Sequence, residues 1–418
     1  GNADRQLRVR VAKTMSKRTG AELLDSGQRF AVTMWEYSWL VQRGGLKTRA
    51  PVFGPEDEYR DWDRVLDELV ERGYDCVRID AHPHLVAASP GGQRQETFTM
   101  LPVGDRFMWG NHEPVVVEPR RGLVDFMKKC AARGIYVGLS SWFNDDETHR
   151  KRTIETPADY VRIWTETLDF LAAKDLLDLV VWVDVCNEFP LPGWAPKAFV
   201  DIFGARPAGF DSQALLERLR EEWSHRVAGR FGEYMAETVA GLKAAHPELR
   251  YTFSFCLAAE NITSRIDVGA LDLLEPHIWT TDDLAWAEES GMVASERGAA
   301  GESLRAYVAR VRELYPASRE RCRAILDRLT DLWSGLAART KLPLVTTEAW
   351  TMVLYEDVSP GGAAGEWEWF KDIAEIGVRM AIDKGWQGIC TSNFCEPHFE
   401  GMWQDVAWHR RMTDLIKG

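Results

Sequence analysis

The sequence predicts an α/β protein of the (β/α)8 TIM-barrel class, with a short N-terminal β-hairpin cap and long βα loops. Three observations predict it. Eight short runs rich in β-branched, aliphatic and aromatic residues recur along the 418-residue chain. Longer segments with apolar residues at helical spacing separate them. A helix, then glycine, then an apolar strand recurs at Gly73, Gly134 and Gly385, the junction expected of αβ units. Near-continuous apolar runs suit parallel strands buried on both faces. A doubly wound sheet is the alternative, because strand order is not written in one sequence.

The predicted strands are Phe30–Trp35, Cys76–Asp80, Ile135–Ser140, Val180–Val185, Tyr251–Phe255, Leu273–Trp279, Pro343–Thr347 and Gly388–Ser392. Predicted helices cover Tyr59–Arg72, Arg121–Arg133, Pro157–Lys174, Ser224–Ala245, Ser318–Thr340, Trp367–Lys384 and Gln404–Lys417. Residues 1–29 form a cap segment of a single domain spanning 1–418. Within it, Leu7–Val11 and Glu22–Leu24, the latter followed by Asp25-Ser26-Gly27, read as short strands and a turn that close the floor. Three strand-to-helix connections are long: 81–120, 189–222 and 280–317. In a barrel such loops build the functional face.

Composition narrows the partners. A net charge of -13 opposes binding to a nucleic-acid backbone or an anionic membrane. No apolar stretch approaches the ~20 residues needed to cross a bilayer. Four of the seven cysteines, Cys76, Cys186, Cys256 and Cys390, fall in or just after apolar runs and read as buried thiols. They favour a reducing, cytoplasmic compartment. The start Gly-Asn-Ala, in place of Met, leaves a trimmed leader and a secreted or periplasmic location open. Eighteen tryptophans are many for this length, and those at a barrel mouth suit the flat apolar faces of sugar rings.

Barrel proteins carry their reacting groups at the C-terminal ends of strands. Two glutamates stand there: Glu188 after strand four, in Cys186-Asn187-Glu188, and Glu348 after strand seven, in Thr347-Glu348-Ala349-Trp350. Cleavage of a glycosidic bond needs one protonated carboxyl and one ionised carboxylate. A closed barrel would bring these two to one mouth. Around them the same reading places Trp35 and Glu36 after strand one, Arg78, His82 and His84 at strand two, and Trp142 after strand three. His277 and Trp279 mark strand six, and Asn393 follows strand eight. Arg78 lies mid-strand, so its charge needs a buried partner, with Asp80 one candidate.

Asn187-Glu188 after strand four with Glu348 after strand seven resembles the clan A glycoside hydrolases, particularly cellulase-like relatives of family 5. The resemblance covers roughly residues 22–416. It implies a retaining double-displacement mechanism on β-type linkages and no cofactor. In it Glu188 is the acid/base, Glu348 the nucleophile, Asn187 a ligand of the sugar 2-hydroxyl, and Arg78 the arginine beside the nucleophile. His277 matches a histidine near the pair. Trp279 stands where such relatives usually have tyrosine, and Asn393-Phe394 where they usually have tryptophan. The long loops point to exo action. Two other functions fit parts of the sequence. His82-Pro83-His84 has the HxH spacing of metal-dependent amidohydrolase barrels. A carbohydrate-binding barrel without catalysis would keep the aromatic mouth alone.

Overall fold

The computed structural model describes residues 18–36, 38–41, 61–102, 114–204, 223–256, 260–292, 300–351, 367–392 and 400–418. Its strands are β1 (Phe30–Glu36), β2 (Cys76–Asp80), β3 (Phe98–Met100), β4 (Val115–Val117), β5 (Tyr136–Ser140), β6 (Val180–Asp184), β7 (Tyr251–Thr252), β8 (Ser254–Phe255), β9 (Glu275–Pro276), β10 (Ile278–Trp279), β11 (Val345–Thr346), β12 (Ala349–Trp350) and β13 (Gly388–Cys390). Seven form one curled parallel sheet in the order β11-β13-β1-β2-β5-β6-β7. β8 pairs in parallel with β9, and β10 with β12. Leu274 and Leu344 make a further parallel bridge.

All eight predicted strands correspond to strand segments, but two are interrupted. The fifth breaks at Phe253, between β7 and β8. The sixth breaks at His277, between β9 and β10. Helices Trp62–Glu71, Pro119–Ala131 and Glu368–Asp383 are followed by Gly73, Gly134 and Gly385 at φ 85°, 69° and 77°. Those left-handed positions are open to glycine at little steric cost, and they stop each helix as the sequence implies.

The N-terminal segment departs from expectation. Glu22–Leu24 is not a strand but part of the helix Gly20–Asp25. Thr19 and Glu22 form a capping box: Glu22 N donates to Thr19 Oγ1 at 3.2 Å and Thr19 N to Glu22 Oε2 at 2.8 Å. That reciprocal pair satisfies two amides that a helix start leaves free, which explains the helix. Its Leu23 and Leu24 still close the floor, packing with Phe30, Val32 and Val181. Leu7–Val11 lies outside the described residues.

The connections also differ. Residues 300–317, expected as loop, extend the predicted Ser318 helix into one of 41 residues, Ala300–Thr340, with Pro316 inside it. The 81–120 connection holds a short helix, Pro83–Val86, and the antiparallel pair β3–β4.

Alternation along the strands sorts side chains into layers. Cys76, Trp182, Leu273 and Val345 share one apolar cluster at the floor of the curl. Two residues further along their strands, on the same face, stand Arg78, Asp184, Glu275 and Thr347. The described cysteines are all buried and free. Among the described residues no helix is long and apolar enough to cross a membrane.

The helix–sheet packing can be tested at Gly377. A Cβ there would meet Trp350 ring atoms at 2.2–2.7 Å, whereas one at Gly335 would meet only the flexible Arg339 Nη1 at 3.5 Å. Gly377→Ala should lower stability by about 1–3 kcal/mol, seen as a lower urea midpoint with an unchanged m-value. Gly335→Ala should be neutral or stabilise by up to about 1 kcal/mol, through helix propensity.

Candidate active site

Arg78 occupies the centre of the polar layer and is fully buried. Its Nη1 donates to Glu348 Oε1 at 2.9 Å. Its Nη2 faces Asp184 Oδ2 at 2.7 Å, Asn187 Oδ1 at 2.8 Å, Ser140 Oγ at 3.1 Å and Ser254 Oγ at 3.3 Å. Glu275 Oε1 lies 2.9 Å from Nε, off the line of a straight hydrogen bond. The Trp142 ring covers the guanidinium, 4.6 Å from its central carbon. The partner suggested by sequence, Asp80, is elsewhere. It accepts the backbone N–H groups of His82 (2.7 Å) and Trp142 (3.0 Å) and so shapes the loops above β2 and β5.

The turn after β6 aims Glu188 across the same cavity. Asn187 N donates to Ser141 O at 2.9 Å, Glu188 N to Ser254 Oγ at 2.8 Å, and Phe189 N to Ser254 O at 2.9 Å. These bonds hold Glu188 at φ 45°, a left-handed conformation that costs a non-glycine residue about 1–3 kcal/mol. Its Oε1 shares a 2.9 Å hydrogen bond with His277 Nδ1, and Glu348 Oε2 lies 3.5 Å from the same nitrogen. The ligand-type atoms of Glu188, His277 and Glu348 all fall within 4.8 Å of one another.

Exposure separates the carboxyls. Asp184 and Glu275 are completely enclosed, while the side chains of Glu348 and Glu188 keep 11% and 16% exposure. The latter two are therefore the acids a substrate can reach. Burial pushes Glu188 up to about 7, against the pull of Arg78 and the Trp194 indole. Burial also raises Glu348, with the Glu188 charge adding to it, while Arg78 pulls it down. His277 is held down to about 4 by burial and is neutral at ordinary pH. Burial lifts Glu275 to about 8. The lone guanidinium, surrounded by acids, is held above its ordinary value despite its burial.

Several expectations meet here. Arg78, Asn187, Trp142, His277, Glu188 and Glu348 form one connected cluster, and Trp279 sits on β10 with 9% of its surface exposed. Others do not. Trp35 is buried edge-on against Phe126 of the helix layer. Trp350 is buried against Gly377 and donates its Nε1–H to Cys390 O at 3.1 Å. Both are core and present no face to a sugar. His84 bonds through Nε2 to Asn144 O at 2.8 Å, packs on Phe143, and is held down to about 4 by burial. His82 is enclosed beside Trp39, its proton affinity also lowered by burial. The HxH pair thus belongs to the wall. Among the described residues, the only group of three such side chains within metal-binding range contains neither histidine of that pair. Glu36 ends β1, but its side chain lies outside the described residues, as does Asn393.

Sequence reasoning passed over Asp184, Ser254, Glu275 and Trp194. Asp184 and Glu275 carried a usable signal. Each sits two residues beyond a floor residue, Trp182 or Leu273, on the face that carries Arg78.

Fold and site together are those of a glycoside hydrolase. The chain belongs to the sugar-binding cellulase-like family, whose model matches residues 32–417. It is similar to a candidate glycoside hydrolase from Parabacteroides distasonis, with 31% identity, a TM-score of 0.78 and 94% of each chain covered. In fold alone it is also similar to a family 5 glycoside hydrolase from Prevotella bryantii, at 12% identity and a TM-score of 0.51, covering 97% of this chain and 99% of that one. A broad-specificity endoglucanase from an uncultured bacterium gives the same TM-score at 10% identity, covering 97% and 98%. No curated protein matches the chain.

Removing the central charge should be costly. Arg78→Met leaves Asp184, Glu275 and Glu348 without their shared cation and should lower stability by about 3–5 kcal/mol at neutral pH. Removing the cation raises the acids beside it further, so at neutral pH the folded variant must bind protons that the folded native protein does not. The deficit should therefore shrink as pH falls from about 8 toward 5, in urea titrations at stepped pH.

Proposed function

We propose that the protein is a retaining glycosidase of β-type linkages, with Glu348 as nucleophile and Glu188 as acid/base. The observation that carries this reading is the asymmetric pair. The two reachable carboxyls stand within one sugar-sized gap, and of the two only Glu348 is bonded to Arg78. One oxygen of each lies within 4.8 Å of the other, which is compatible with the gap of about 5–5.5 Å that retaining sites use. The closed eight-stranded barrel is part of this reading. Leu274 N donates to Pro343 O at 2.8 Å and Val345 N to Leu274 O at 2.9 Å, which supports continuity from β9 to β11.

The chemistry follows from the charges. Arg78 holds Oε1 of Glu348, leaving Oε2 to attack the anomeric carbon. As that bond forms, the glycosidic C–O bond breaks and Glu188 gives its proton to the leaving oxygen. Glu188 then takes a proton from water, whose oxygen displaces Glu348 and restores both carboxyls. Glu188 suits the acid role because burial keeps it protonated up to about 7. Asn187, fixed by Arg78, faces the 2-hydroxyl. Trp279 is a platform for the ring, while Trp142 covers the arginine, and action from a chain end on short oligosaccharides fits the long connections after the strands.

Aryl β-glycosides test this. Glu348→Gln should abolish turnover. Glu188→Ala should lower kcat by about 10²–10⁴, with partial rescue by azide. The first product, followed by NMR, should keep the β configuration. Near-normal activity in either variant removes that residue's role, and inversion removes the double displacement. Sugar binding without turnover across a broad panel would instead mark a binding barrel.

The pH profile tests the acid. Glu188 must be protonated at the start, so kcat/KM of the native protein should fall as pH rises through about 7. A profile still flat at pH 9 would contradict a catalytic acid in this environment.

A further inference from the structure

Glu275 has no part in the steps above, yet it is a fully enclosed acid in contact with the arginine that serves the nucleophile. We propose that Glu275 is a positioning residue: one carboxyl oxygen, in its neutral form, fixes the Nε edge of Arg78 and so keeps the Nη1 edge turned onto Glu348. The proposal rests on the nucleophile assignment and extends it to a residue outside the reacting pair.

Geometry supports the positioning role. The guanidinium is planar, so a contact on one edge sets the direction of the other two. Its Nη2 corner is held by Asp184, Asn187, Ser140 and Ser254. That corner alone is one fixed point of the plane. The Nε contact with Glu275 at 2.9 Å supplies the second point. Thr347 Oγ1 donates to the same Oε1 at 2.8 Å, and Thr347 immediately precedes Glu348. One oxygen of Glu275 therefore touches both the arginine and the chain that carries the nucleophile.

Donor counts support the neutral form. Asp184 accepts from Arg78 Nη2, from the Ser140 and Ser254 hydroxyls at 2.6 and 2.8 Å, and from Ser254 N at 2.8 Å. Glu348 has Arg78 and some solvent. Glu275 has the Thr347 hydroxyl and the angled Nε contact, and its Oε2 has no hydrogen-bond partner. A buried charge costs most where donors are fewest. One guanidinium cannot balance three anions in one enclosed volume, so the proton resides on Glu275. Its value of about 8, raised by burial, agrees.

The test compares two near-isosteric variants. Glu275→Gln keeps an oxygen at the Oε1 position and carries no charge. Glu275→Met fills the volume with no oxygen. Folding is checked by near-UV circular dichroism, and Thr347→Val, which leaves Arg78 untouched, serves as a milder variant should methionine fail to fold. The first readout is the titration of Glu348 by carbon-detected NMR, assigned through Glu348→Gln, which needs no substrate. Glu275→Met should raise the Glu348 midpoint by about one pH unit, and Thr347→Val should move it less in the same direction. Glu275→Gln should leave it within about half a unit of native. The second readout is turnover. Glu275→Met should lower kcat about tenfold with KM within about threefold, and Glu275→Gln should keep both within about threefold. An unmoved Glu348 midpoint in both Glu275→Met and Thr347→Val overturns the proposal, as does equal impairment by methionine and glutamine. If native protein cleaves no glycoside, the glycosidase reading fails while the titration still decides the role of Glu275.

Discussion

A guanidinium with no exposed surface stands on the second strand of this fold, and the polar architecture of the site answers to it. Burying that charge without partners would cost more than the domain's net stability. The partners come from almost every direction of the curl: Ser140 on β5, Asp184 on β6, Ser254 on β8, Glu275 on β9 and Glu348 after β11. No pair of neighbouring strands could satisfy the group alone. The sheet must curl far enough to bring strands distant in sequence within 3 Å of one side chain. Lysine could not replace it, because only a planar fork can address separate acids along fixed directions. Buried ion clusters of this kind add little net stability compared with apolar packing. Their effect here is to give Glu348 a cation that Glu188 does not touch.

That difference depends on what His277 lacks as much as on what Arg78 supplies. The imidazole touches Glu188 and lies near Glu348, so a charged His277 would pull both acids down together. Burial keeps it neutral. Glu188 then has a hydrogen-bond partner but no adjacent cation, and the cost of its own charge stays high. Glu348 has the arginine. Two chemically identical side chains thus stand in different electrostatic surroundings, one bonded to the arginine and one not.

The strands were readable because both faces of a parallel sheet are buried, which leaves uninterrupted runs such as Val180–Asp184. That Arg78 needs a buried partner was readable from its mid-strand charge, while Glu348 as that partner came only from the family resemblance. The identity of the remaining partners was not readable. Asp80, two residues on, shares a face with Arg78, but one strand repeat separates them, and lateral neighbours such as Asp184 are closer. The tryptophans failed for a related reason. Trp35 and Trp350 both follow strand runs, and which side they take depends on where the strand ends, a boundary that sequence gives to within a few residues. Glu22–Leu24 was too short for periodicity to decide, although Thr19 and Glu22 held the spacing of a capping box. The first part of the Ala300–Thr340 helix was assigned to a connection, and it holds Pro316; in a long helix the loss of one backbone donor can be absorbed by the remaining turns.

The size of the side chains around the cluster completes the physical account. Beneath it, Gly138 leaves the space that the Trp182 ring fills; a Cβ there would come within 2.5 Å of the indole. The floor is thereby made level and dry. Above it, the wall beside Arg78 is built from Ser140, Ser254 and Thr347, short hydroxyl side chains that donate or accept without occupying the volume the acids need. Large residues below and small polar ones above set the height at which the charges sit, just under the mouth. Charges at that depth escape most solvent screening while two of them stay within reach of a ligand. Such a cluster meets only the anomeric centre and the groups beside it. Selection must come from groups further out that meet the ring and its hydroxyls, among them Trp279 and Trp194, which keep 9% and 7% of their surface open.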